Sequence, residues 1–176
     1  MDADLRVNAL YLSSRLRSRL ADAARCPVTT IIAPTGYGKT TAAQYLQRRI
    51  AAEAPDAYLF RQFLSGGGRQ EFWAGLCRAL HTAPQLSAQL LALGYPDSPH
   101  TRQQLLELVQ DALTEQAPVW LILDDVHLLQ GGEAAELVSF LAERLPLQVH
   151  LLLLSRNQIF SAAAQLRLGS GLLTIG

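Results

Sequence analysis

The chain has 176 residues, which is enough for one domain with a substantial hydrophobic core. Hydrophobic residues make up 49% of it and charged residues 17%, a balance typical of a well-buried α/β domain and not of a disordered or fibrous protein. Lys plus Arg and Asp plus Glu both number 15, so no net charge favours nucleic acid or an anionic membrane.

Three features of the sequence indicate a soluble cytoplasmic protein. Cys26 and Cys77 have no metal-ligand or redox spacing, so we interpret them as reduced thiols. The opening segment MDADLRVNAL is acidic and lacks the basic-then-apolar pattern of a signal peptide. The aliphatic runs are no longer than a strand, so no membrane span is expected.

Apolar periodicity predicts strands that alternate with helices along the chain. Helices are expected at 10–24, 40–50, 69–81, 84–93, 101–116, 133–145 and 162–168, with residues 94–99 breaking the pattern. Strands are expected at 28–32, 57–64, 119–123, 149–154 and 172–175. The continuous apolar run at 119–123 is typical of a strand covered on both faces. The sequence therefore predicts an α/β fold: a parallel sheet of about five strands between two helix layers.

Residues 33–41, APTGYGKTT, carry the most specific chemical signal. They lie between a predicted strand and a predicted helix, the context in which a GKT triplet forms a phosphate-binding loop. Gly36 and Gly38 let the backbone curl so that N–H groups point at an anion, and the helix N-terminus adds partial positive charge. Lys39 is expected to reach the β- and γ-phosphates, and the Thr40 hydroxyl to ligate Mg²⁺.

Asp124 and Asp125 follow the apolar run in VWLILDDVHLL, residues 119–129. Open α/β sheets place their ligand chemistry at the carboxyl ends of such strands. In P-loop proteins an aspartate there holds Mg²⁺ through water, and an adjacent acid can polarise the attacking water. The alternative is a pair of acids that caps the next turn. The phosphate loop upstream favours the metal site.

Arg156 follows the apolar run at 149–154 and Ser155. An arginine just past a buried strand would point from the sheet edge toward a γ-phosphate, where its charge distinguishes ATP from ADP. The alternative is an arginine that caps the strand or pairs with an acid. We interpret His127 as a histidine packed at a loop, and the alternative is a histidine that senses the site. We interpret Phe72 with Trp73 as core residues and not a base-stacking site.

These segments together resemble a known family. Five segments occur in a fixed order: the first helix with Arg15 and Leu16, then APTGYGKTT, Phe72-Trp73, LILDDVHLL and Ser155-Arg156. The pattern is similar to the nucleotide-binding domain of the STAND signal-transduction ATPases, in particular the large LuxR-type transcriptional activators typified by the maltose-regulon activator. The similarity covers essentially the whole chain, and GYGKTT and LDDVH are its specific parts.

The resemblance implies that residues 1–176 form one ATP-binding P-loop NTPase domain, an ATP/ADP switch with Mg²⁺ and at most slow ATPase activity. It implies Asp124 as the metal acid, Asp125 as the water acid beside the catalytic Lys39, and Arg156 as the γ-phosphate sensor. The phosphate loop it implies consists of Pro34, Thr35, Gly36, Tyr37, Gly38, Lys39, Thr40 and Thr41.

The resemblance also implies parts beyond residue 176. Such regulators continue into helical and winged-helix regions, a superhelical sensor domain and a C-terminal helix-turn-helix that binds DNA. The chain is therefore expected to be an N-terminal fragment, monomeric by itself, of a protein that oligomerises with ATP and inducer.

Two other classes remain as alternatives. A motor or loader ATPase of the AAA+ group also has paired acids, but usually carries a smaller polar sensor where Arg156 stands. A small-molecule kinase would need an arginine-rich lid, and the arginines at 61–78 are scattered. The switch interpretation ranks first and the kinase last.

Overall fold

A parallel five-stranded sheet forms the centre of the molecule. The computed structural model describes residues 12–113, 118–129 and 132–176. Within them the strand order is β2-β3-β4-β1-β5, and all four pairings are parallel. The strands are β1 Val28–Ile32, β2 Tyr58–Phe63, β3 Val119–Asp124, β4 Val149–Ser155 and β5 Leu172–Ile175. The predicted strands and their parallel arrangement are confirmed.

Helices connect the strands at the predicted places. They are α1 Ser14–Ala23, α2 Lys39–Glu53, α3 Arg69–Ala79, α4 Pro84–Leu93, α5 Pro99–Ala112, α6 Glu133–Arg144 and α7 Ala162–Leu168, with 3₁₀ turns at Val126–Leu129 and Gly169–Gly171. The predicted helix start at residue 10 and the segment 114–116 lie outside the described residues. No helix in the described part of the chain is long and apolar enough to cross a membrane.

Several helix boundaries differ from the prediction by one to three residues, and the start of α5 has a clear physical reason. The residues 94–99 were expected to lie between helices, but α5 already begins at Pro99. Proline fits the first helical position, because its missing N–H would have no intrahelical partner there. Ser98 accepts a hydrogen bond from the Thr101 backbone, and the Thr101 hydroxyl accepts one from the Ser98 backbone. This reciprocal cap stabilises the helix start.

Alternate side chains of each central strand pack on opposite faces of the sheet. Trp120 and Ile122 of β3 contact the core formed with α1 and α2. Leu121 and Leu123 contact the larger core that α3 to α7 cover. Phe72 and Trp73 are buried in that larger core, so their prediction as core residues is confirmed. The fold is a three-layer α/β/α sandwich, as predicted.

The strand order brings the ends of three separate strands together. β4 lies between β1, which leads into the phosphate loop, and β3, which ends at Asp124. Ile32 is in register with Ser155, and Phe63 with Asp124. Because every strand is parallel, all these carboxyl ends lie along one edge of the sheet.

Side chains at the buried centre of β4 should contribute strongly to the free energy of unfolding. Leu152→Ala should lower the free energy of unfolding by about 2–5 kcal/mol, because it leaves a cavity between packed layers. Leu152 is 0% exposed, whereas Leu147 is 81% exposed. Leu147→Ala is therefore the matched control and should change stability by about 0.5 kcal/mol or less. Urea unfolding followed by circular dichroism measures both, and equal losses would contradict this account of the core.

Candidate functional site

The predicted phosphate loop adopts a glycine-dependent backbone. Gly36 and Gly38 have φ of 83° and 81°, a left-handed conformation that other residues rarely adopt. A Cβ at either position would meet no atom within 4 Å, so the backbone conformation and not a lack of space requires glycine. Gly38 is the N-cap of α2, and its carbonyl accepts the helical bond from Ala42 at 2.8 Å. The first N–H groups of α2 have no intrahelical partner and are available to an anion.

Lys39 lies against the loop that precedes it. Its Nζ donates to the carbonyl oxygens of Ala33 at 2.5 Å and Pro34 at 3.0 Å. The loop is tied to the sheet where the Ala33 N–H donates to the Ser155 carbonyl at 3.1 Å. The ammonium group therefore lies within the curl of the loop, with backbone carbonyls as its partners.

Most residues of the predicted site line one pocket. Its volume is about 460 Å³, and it is lined by Thr35, Gly36, Gly38, Lys39, Thr40, Thr41, Phe63, Asp124, Asp125 and Arg156. Pro34 and Tyr37, also predicted to bind nucleotide, are not among the lining residues. Pro34 contributes its carbonyl to Lys39, and the Tyr37 side chain is 77% exposed. The structure thus brings both acids and the arginine to the phosphate loop.

Asp124 is buried at the end of β3 with both carboxylate oxygens engaged. It is 5% exposed. Its Oδ1 accepts a hydrogen bond from the Asp125 N–H at 3.0 Å, and its Oδ2 accepts one from Arg61 Nη2 at 2.8 Å. The carboxylate is therefore oriented by its own turn and by a buried ion pair.

Arg61 is a member of the site that the sequence did not reveal. It lies in the middle of β2, and its Nη1 donates to Gln47 Oε1 on α2 at 3.0 Å. Its guanidinium carbon lies 4.6 Å from the centre of the Phe63 ring. The signal for Arg61 was a charge within the mostly apolar strand YLFRQF. The role of Arg61 at the site depends on the pairing of β2 with β3, because that pairing places Arg61 and Asp124 on the same face of the sheet.

Asp125 is held by an unusual backbone conformation. Its φ is 61°, the one left-handed non-glycine residue in the described part of the chain. Its carbonyl accepts a hydrogen bond from the Leu128 N–H at 2.9 Å, where the chain turns into the 3₁₀ segment Val126–Leu129. Aspartate tolerates this region better than most residues, although it costs about 1–2 kcal/mol. The turn presents a half-exposed carboxylate to the pocket.

His127 packs beneath that carboxylate. Its Nδ1 lies 3.8 Å from Asp125 Oδ1 and has no hydrogen-bond partner. Burial lowers the pKa of His127, and the charges of Arg156 and Lys39 lower it further, against the opposing effect of Asp125. His127 is packed at a loop, as predicted, and its place beside Asp125 leaves the alternative of a site-sensing histidine open.

Arg156 lies just past the end of β4, exposed to solvent and on the wall of the pocket. Within the described residues, the structure records no ion pair between its side chain and an acid. The alternative in which Arg156 pairs with an acid is therefore not the one observed. The guanidinium is available to an anionic ligand in the pocket.

The residues of the pocket fit a nucleotide–magnesium complex. The Thr40 hydroxyl and the Asp124 carboxylate are oxygen ligands of the kind that Mg²⁺ prefers, and both line the pocket. No cluster of three or more His, Cys, Asp or Glu side chains suited to a metal occurs among residues 12–113, 118–129 and 132–176. Mg²⁺ usually takes one or two protein ligands together with phosphate oxygens, so this sparse set suits it.

The lowered pKa of His127 predicts a pH-dependent stability. When the pH falls below 6.5, the ordinary pKa of histidine, His127 takes up a proton in the unfolded chain but stays neutral in the folded chain. The free energy of unfolding therefore has its full value above pH 6.5, and it decreases as the pH falls toward the folded-state pKa of His127. Urea unfolding at pH 7.5 and 5.5 should show a smaller loss for His127→Gln than for the native chain. Identical losses would contradict the buried neutral state.

Comparison with known proteins finds a family match and distantly related regulators. Residues 22–155 match the family described as AAA domain. The regulator MalT of Serratia proteamaculans is 27% identical over 98% of this chain, and that of Klebsiella pneumoniae is 26% identical. Both are HTH-type transcriptional regulators, and the chain spans only 19% of their length.

Solved structures show the same fold at low identity. A chain of Drosophila ORC bound to AT-rich DNA and Cdc6 has a TM-score of 0.56 at 13% identity, covering 97% of this chain and 56% of that one. Domain III of the Thermotoga maritima initiator DnaA has a TM-score of 0.51 at 16% identity, covering 92% and 60%. With the family match over most of its length, the parallel sheet and the glycine loop, this chain belongs to the AAA domain family of P-loop ATPases.

Proposed function

We propose that this chain binds ATP and ADP with Mg²⁺ and acts as the switch domain of a STAND-type signalling ATPase that controls a LuxR-family transcriptional regulator. The observation that carries the proposal is the convergence of the glycine loop, two aspartates and one arginine on a single pocket. The similarity to HTH-type regulators along nearly the whole chain supports the regulatory part.

The charged groups of the pocket and Thr40 each have a role in this proposal. The loop N–H groups and Lys39 bind the β- and γ-phosphates, and Thr40 and Asp124 hold Mg²⁺, which neutralises phosphate charge. Asp125 orients the attacking water, and Arg156 contacts the γ-phosphate. A residue that contacts only the γ-phosphate favours ATP over ADP, which is what a switch requires.

The regulatory context is also part of the proposal. DNA would be bound through a helix-turn-helix outside this chain, and the whole protein would act in the cytoplasm. The residues 1–176 would be monomeric, because the domains that respond to nucleotide lie elsewhere. The ORC chain and DnaA domain III share the fold, and at 13–16% identity that likeness does not extend to function. A loader would hydrolyse ATP in response to a polymer, whereas a switch hydrolyses slowly and retains ADP.

Lys39→Ala should abolish nucleotide binding. Each hydrogen bond from a charged donor contributes about 1.5–3 kcal/mol, and the ammonium is expected to make more than one. Calorimetry with ATP and ADP measures the loss, with Arg49→Ala as a control because Arg49 pairs with Glu53 on the same helix, outside the pocket. Equal binding by the native and Lys39→Ala chains would refute the phosphate-loop assignment.

Lys39 is the one lysine in the sequence, which allows a second readout. An amine-specific reagent can modify only Lys39 and the N-terminal amine. Saturating ADP should slow modification of Lys39, as followed by mass spectrometry of the peptide that contains it, while the N-terminal amine serves as the internal reference.

The two aspartates should separate metal binding from hydrolysis. Asp124→Asn should weaken Mg²⁺-dependent nucleotide binding, because the buried carboxylate loses its charge. Asp125→Asn should preserve binding and remove residual hydrolysis, because its carboxylate faces the pocket without being buried. Calorimetry and phosphate release measure the two effects. Unchanged hydrolysis in Asp125→Asn would place the catalytic acid elsewhere.

Arg156→Ala should weaken ATP binding more than ADP binding. The difference should be about 1–3 kcal/mol, the size of a hydrogen bond between two charged groups. The control is Arg167→Ala, since Arg167 pairs with Glu143 away from the pocket. Calorimetry with both nucleotides gives the difference directly, and an equal loss for ATP and ADP would exclude a γ-phosphate contact.

A further inference from the structure

Arg61 places a positive charge beside the acid that would hold the metal. The ion pair between Arg61 Nη2 and Asp124 Oδ2 is 2.8 Å long, and the two side chains are 16% and 7% exposed. An ion pair this buried is screened little by solvent. Within the pair, the formal charge of Asp124 is therefore cancelled by a neighbour on an adjacent strand.

The environment of Arg61 shows that this cation is held in place. Gln47 on α2 accepts from Nη1, and the Phe63 ring packs against the guanidinium. Nε is buried without a hydrogen-bond partner. A buried unpaired N–H is unfavourable, so the two Nη groups must supply most of the stabilisation of the guanidinium. Of these, the contact with Asp124 is the one between two opposite charges.

A divalent cation held by Asp124, through water as the sequence predicts, would need an acceptor on this same carboxylate. Asp124 Oδ1 already accepts the Asp125 N–H, so Oδ2 is the oxygen whose partner can be exchanged. A metal near Oδ2 is repelled by the guanidinium, and two like charges a few ångströms apart in a buried site interact strongly. Metal binding and the Arg61 contact thus compete for the same carboxylate.

We propose that Arg61 is an internal counter-cation that competes with the divalent metal for Asp124, so that metal binding requires Arg61 to leave Oδ2. This inference rests on the proposed nucleotide and metal function of the pocket. Gln47 and Phe63 are the groups that remain to hold the displaced guanidinium. Phe63 lines the pocket, and Gln47 belongs to the helix that follows the phosphate loop.

Manganese binding tests the competition without any hydrolysis. Mn²⁺ replaces Mg²⁺ as a spin probe, and electron paramagnetic resonance reports the free ion during titration of ADP-saturated chains. Arg61→Met removes the charge and keeps an unbranched side chain, and it should bind Mn²⁺ about tenfold more tightly than the native chain. Arg61→Lys keeps a positive charge and should bind Mn²⁺ much as the native chain does.

Two controls make the result specific. Arg49→Met removes an arginine from an ion pair on α2, outside the pocket, and should leave Mn²⁺ affinity unchanged. Thermal unfolding by circular dichroism confirms that each variant is folded. If Arg61→Met does not fold, Arg61→Gln removes the same charge while keeping a polar side chain, and it should tighten Mn²⁺ binding in the same direction.

The outcomes separate this inference from the proposed function. Native or weaker Mn²⁺ affinity in a folded, neutral Arg61 variant overturns the competition, and so does Arg61→Lys binding as tightly as Arg61→Met. ADP binding in EDTA, compared between the native and Lys39→Ala chains, tests the phosphate loop separately. If neither chain binds ADP, Mn²⁺ is titrated into chains without nucleotide. That titration still measures whether Arg61 and the metal compete for Asp124.

Discussion

The position of β4 between β1 and β3 is the constraint on which the site depends. It separates the strand that leads into the phosphate loop from the strand that ends at Asp124, and it places Arg156 between them. Parallel pairing keeps the ends of all three strands at one edge. The middle of β4 is buried from both faces, so this spacing is fixed by the two hydrophobic cores and not by contacts within the site itself.

Two of the three cations around the pocket already have partners within the protein. Lys39 donates to two carbonyls of its own loop, and Arg61 pairs with Asp124. Arg156, in contrast, is exposed on the pocket wall. In the proposed function, phosphate would replace the backbone carbonyls as the partner of Lys39, and the metal would replace Arg61 as the partner of Asp124. The proposed binding free energy would then be the difference between the new contacts and these internal ones.

The turn after β3 combines backbone strain with a buried histidine. Asp125 takes a left-handed conformation, and His127 lies under it with an unpaired Nδ1. Both features lie next to the pocket. Strain and unsatisfied polar groups persist where the surrounding packing over-determines them, and they cluster at functional sites. The buried residues Val126 and Leu129 on either side of His127 supply that packing here.

The sequence by itself determined the elements and the most local part of the site. Apolar periodicity predicted every strand in the described residues, and the spacing of Gly36, Gly38 and Lys39 predicted the loop, because both signals depend on neighbours along the chain. The sequence also predicted Asp124 and Arg156 at the sheet edge, because each follows an apolar run that was predicted as a strand. Only the tertiary structure paired β2 with β3 and so brought Arg61 to Asp124, across 63 positions of sequence. Strand order and register are decided by packing between distant segments, which no local pattern encodes.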